Sequence, residues 1–107
     1  MIAEDDTLAG YVAVHGRPPA FEGSDGRAYS VGVFSDDDPQ PDGCYGASLL
    51  FLRWSETSAP DGHLESDYLA YDADAAAAEA AVGRLPLIEV KRTLDHLIAR
   101  RTGGEDR

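Results

Sequence analysis

The periodicity of the chain changes at Asp72, and no other feature limits the fold as much. Before Asp72, apolar residues come in short runs divided by clusters of Gly, Pro, Asp and Ser; after it come an alanine run and then apolar residues at helical spacing. Strand side chains alternate between two faces, whereas helix side chains return to one face every three or four residues. The chain therefore reads as strands first and helices last. That order implies an α+β domain: an antiparallel meander of about four strands followed by two C-terminal helices packed on one face.

In the first part, "LAGYVAVHG" sets Val12 and Val14 against Tyr11, Ala13 and His15, the alternation of a first strand that Gly16 and the Pro18-Pro19 pair would end. Two further runs, Ala20 to Glu22 and Ala28 to Phe34, flank "GSDG", where Asp25-Gly26 supplies the positive φ of a tight hairpin turn. "SDDDPQPDG", Ser35 to Gly43, contains no apolar residue and reads as an exposed connection. Leu49, Leu50, Phe51 and Leu52 follow in unbroken succession, as in a central strand covered on both faces at its middle. "GHLESDYLAYD", residues 62–72, reads as the last strand.

Beyond Asp72 the alanine run has high helix propensity, Asp72 or Asp74 can cap its start, and Gly83 suits its end. A second helix opens at Pro86, with Leu87, Val90, Leu94, Leu97 and Ile98 on one stripe and Lys91, Arg92, Asp95 and Arg100 on the solvated remainder. A chain of 107 residues is the size of one domain, spanning 1–107, and the segments 1–7 and 102–107 read as frayed tails.

The net charge of -11 is unevenly placed: residues 1–80 carry 16 acidic and 3 basic side chains, whereas residues 81–107 carry 4 and 6. Nucleic acid and anionic membranes need a basic footprint and are not expected partners. A basic protein is, through electrostatic complementarity. Cys44 is the single cysteine, so no intrachain disulfide can form. The start, "MIAEDDT", lacks the basic and apolar regions of a signal peptide, and no stretch approaches about 18 consecutive apolar residues, so the cytoplasm is the expected location.

The one arrangement with metal-ligand chemistry is His63, Glu65 and Asp67, which in an extended chain would stand in a row about 6 to 7 Å apart on one face. A row on a single strand needs a neighbour to converge on an ion, and His15 would supply it if the first and last strands paired. The plainer account is the wet face of a half-covered sheet. The aspartate loop lacks the spacing of an EF-hand, no nucleophile elbow or phosphate loop is present, and no cofactor is implied. Trp54 and Tyr45 near the ends of the central strand read as core and cross-strand packing, with a groove beside Arg53 as the alternative. The reading that results is a small acidic, non-enzymatic interaction module for a basic protein, with a metal-dependent or small-ligand site on the His63/Glu65/Asp67 face as the alternative. Exposed strand edges further suggest a homodimer, one that tightens as ionic strength screens its duplicated acidic charge.

Overall fold

The computed structural model describes the backbone of residues 6–105 and the side chains through Arg101. Helix α1 (Leu8–His15) comes first, then strands β1 (Ala20–Glu22), β2 (Ala28–Ser35), β3 (Tyr45–Trp54), β4 (Pro60–Glu65) and β5 (Ala70–Asp72), then helices α2 (Ala75–Gly83) and α3 (Leu87–Glu105). All strand pairs are antiparallel, in the order β1-β2-β3-β4, with β5 pairing the other end of β3. This is the α+β meander with two C-terminal helices that the change of periodicity implies.

The β1–β2 hairpin closes where Asp25-Gly26 places it: Gly26 takes φ 79°, Gly23 N–H donates to Arg27 O, and the Asp25 carboxylate accepts from Arg27 N–H. Directly paired residues share a face. Phe21, Tyr29, Val31, Leu49, Phe51 and Leu64 therefore lie on one side of the sheet, against Ala78 and Val82 of α2 and Val90, Leu94 and Ile98 of α3. The helix stripe is thus buried from Val90 to Ile98 as its spacing implies, Val90 and Leu94 completely, while Leu87 at its start is half-buried. Asp74 caps α2 by accepting from Ala76 N–H, and Pro86 O accepts from Glu89 and Val90 at the start of α3.

Three expectations are corrected. Residues 8–15 form a helix, because Thr7 Oγ1 accepts from Gly10 N–H at one end and Gly16, at φ 69°, closes the other with its N–H on Val12 O. Capping at both ends outweighs the β-propensity of Tyr11, Val12 and Val14. The single last strand is two short ones, because the chain leaves the sheet after Glu65 and rejoins it at Ala70. Leu49 and Phe51 are fully buried, but Leu50 and Leu52 are only half-buried, so one face of β3 is fully covered and the other only in part, around Gly46 and Ser48. Thr7 caps α1 and bridges Pro86, and the α3 backbone continues through Glu105. The tail expectations for 1–5 and 106–107 lie outside the described residues.

Candidate functional site

Alternation along β3 and β4 sorts the candidate residues. His63 pairs with Leu52 and Glu65 with Leu50, which places both on the sheet face turned away from the helices. The row ends there. Asp67 lies beyond β4, with Oδ2 3.7 Å from Arg100 Nη1 of α3, and it does not join the other two. His15 is on α1 rather than on a neighbouring strand, its ring centroid 4.2 Å from that of Tyr11. Among the described residues no group of three or more His, Cys, Asp or Glu side chains is gathered to hold a metal ion.

Ser66 causes the departure. Its N–H donates to Leu49 O and its hydroxyl accepts from Leu49 N–H at 2.9 Å, so one residue meets both backbone groups that β3 turns towards β4 at that position. The hydroxyl in turn donates to Asp67 O at 2.8 Å, which bends the chain out of the ladder. Leu69 N–H then reaches Ala47 O and pairing resumes. Tyr68 folds back across the sheet: a Cβ on Gly46 would stand 2.5 Å from the Tyr68 ring, so only glycine leaves room for it. Tyr71 packs edge-on against that ring.

The face turned away from the helices thus carries Phe34, Leu50, Leu52, Trp54 and Tyr71 beside Ser30, His63, Glu22 and Glu65. Trp54 Nε1 donates to Ser30 Oγ at 3.0 Å, fixing the indole across two strands, and Ser48 Oγ donates to Glu65 Oε2 at 3.3 Å. None of the strand residues on this face is lysine or arginine. Arg53, one position from Trp54, points to the opposite side, and Tyr45 shares that opposite side at the far end of β3. The alternative groove of Tyr45, Arg53 and Trp54 therefore does not form, and neither aromatic joins the core cluster that was the first expectation for them.

Several charged side chains on the helix side are paired with one another. Asp61 accepts from Arg53 Nε at 2.9 Å and from Arg27, and these two guanidinium groups, Arg53 first, hold its carboxyl below the ordinary range. Asp95 accepts from Lys91 Nζ at 2.5 Å and from Ser24 N–H, which lowers its pKa in the same way, Lys91 being the larger cause. Burial, with the Asp25 carboxylate that accepts its hydroxyl proton, raises the pKa of Tyr29. A cleft of about 330 Å3 between α3 and residues 66–69 is lined by Arg92, His96 and Arg100, but Arg92 is bonded to Glu89 and Arg100 faces Asp67. The Ser24–Asp95 and Asp67–Arg100 contacts tie α3 to the β-segments.

Comparison with family models, with curated proteins and with solved structures finds no match in any of the three. The apolar character of this sheet face is what sequence reasoning missed, although its signal was present. Leu50, Leu52 and Trp54 fall on the even positions of β3, while the continuous run Leu49 to Leu52 suggested cover on both sides.

Proposed function

We propose that this protein is a non-enzymatic interaction module whose uncovered sheet face receives a basic protein partner. The observation that carries the reading is the composition of that face: half-buried Leu50, Leu52 and Trp54 and exposed Phe34 and Tyr71, accompanied by Glu22 and Glu65 and, among its strand residues, by no lysine or arginine. An apolar patch with a rim of one charge sign is the ordinary anatomy of a surface that binds the opposite sign. The overall charge of -11 adds long-range attraction for a cationic partner and repulsion of anionic ones.

Trp54 is the only tryptophan and reports on the face directly. Titration with a synthetic peptide alternating lysine and leucine should shift its emission, and the affinity should fall as salt is added. Leu52→Ser should weaken that binding by about tenfold, the scale of one buried leucine. Equal binding of the glutamate–leucine counterpart, or none of the lysine peptide, overturns the reading.

A further inference from the structure

The backbone of β2 carries an unused edge. Asp36 N–H donates to Gly46 O of the β3 chain, and Gly23 N–H donates to Arg27 O on the other side. In an antiparallel ladder successive residues alternate in the direction of their backbone groups, so Val31, Val33 and Ser35 present N–H and C=O away from β3. Only β1 lies on that side, and its last pair is Ala20 with Ser30. One step further would set Pro19 against Val31, and proline has no N–H to give. Among the described residues no backbone hydrogen bond from outside the sheet reaches Val33 or Ser35 there.

Beside this edge runs a groove of about 510 Å3 between α1, α2 and β2. Its walls are apolar, with Val12 and Ala13 from α1, Ala76 and Ala80 from α2, and Val31 and Val33 from β2. Val12 stays 41% exposed on it. Among the described residues the one charged side chain in the lining is Glu79, hydrogen-bonded to Ser35 Oγ, and the turn that continues β2 carries Asp36, Asp37 and Asp38.

We infer that the free edge of β2 from Val31 to Ser35, with the groove beside it, takes an extended basic segment of a partner protein as an added strand. The inference rests on the basic-partner reading and specifies how that partner is held. Main-chain bonds to Val33 and Ser35 supply affinity, and alternate side chains of the added strand enter the groove, as strand addition requires. The charge decides between occupants. A second copy pairing edge to edge would bring Glu79 and the Asp36–Asp38 turn of both chains together, whereas lysine or arginine in the added segment meets them favourably.

The test uses a synthetic peptide alternating valine and lysine, together with two versions N-methylated either on every valine or on every lysine, titrated into the full chain by calorimetry. Strand addition puts the N–H groups of one set on β2 and of the other in solvent. One methylated version should therefore lose about tenfold or more in affinity, the scale of a lost hydrogen bond, while the other binds like the parent. Val12→Arg, an exposed substitution on α1, should weaken the parent peptide while leaving the melting temperature unchanged. Equal binding of both methylated versions, or indifference to Val12→Arg, overturns the strand-addition inference and leaves the sheet-face reading standing if Leu52→Ser still weakens binding. A dimer mass in light scattering without peptide, dissociated by Val33→Pro, assigns the edge to a second copy and also overturns it.

Discussion

Ser66 shows how one side chain can redirect a strand. It is buried, and its hydroxyl bonds both Leu49 N–H and Asp67 O while its own N–H meets Leu49 O. Ser66→Ala removes the acceptor but not the buried Leu49 N–H, and a buried donor left without a partner costs about 1 to 3 kcal/mol. Chemical denaturation should show a loss in that range; an unchanged midpoint would mean that water or a relaxed ladder replaces the hydroxyl. The sequence around it reads as one polar–apolar alternation, so His63, Glu65 and Asp67 look like a continuous row. Side-chain acceptors that substitute for a ladder leave no mark on periodicity, which is why the end of the row at Glu65 was not legible.

At the scale of elements, periodicity was sufficient where burial determines structure and insufficient where capping does. The stripe from Leu87 to Ile98 announced α3, and Leu94, fully buried among Phe51 and its neighbours in the core cluster, should cost about 2 to 5 kcal/mol on replacement by alanine. A melting temperature that Leu94→Ala leaves unmoved would show the stripe to be peripheral. For α1 the decisive residues are at its ends. Only Leu8 of its eight residues is buried, so packing contributes little, and Thr7 and Gly16 hold the helix. Thr7→Ala should destabilise the fold by about 1 kcal/mol, the usual worth of such a cap. Hydrogen exchange of the α1 amides resolves where the loss falls: faster exchange confined to α1 supports the cap, while a uniform change would implicate the bridge from Thr7 to Pro86 instead. Threonine before an apolar segment and glycine after it were both visible in the sequence, but the Val-Ala-Val alternation between them carried the opposite signal.

For the whole molecule, charge sets the response to solution conditions. With a net charge of -11, self-repulsion lowers stability when screening is weak, and it equally opposes the two-fold dimer that exposed edges invite. The Debye length shortens from about 30 Å at 0.01 M salt to about 3 Å at 1 M, so both penalties fall along a salt series. Acid acts through fewer groups. Asp61 and Asp95 are held below the ordinary carboxylate value of 3.8 by their Arg and Lys partners, so each binds a proton less readily in the folded than in the unfolded chain. The stability they contribute is complete above the unfolded value and disappears as pH falls through the folded one. Asp95 joins Lys91 on α3 to Ser24 in the β1–β2 turn, 71 positions away in sequence, so its protonation loosens the helix from the hairpin. Asp95→Asn should lower stability at pH 7 and flatten its decline as pH falls below the ordinary carboxylate value of 3.8, the side on which a lowered carboxylate pKa acts. Thermal melts of both proteins across that range, at fixed high salt to suppress the general repulsion, are the measurement. Parallel acid limbs for wild type and Asp95→Asn would show that the carboxylate is equally protonated in folded and unfolded chains, and that the Lys91–Asp95–Ser24 contact does not hold helix and hairpin together.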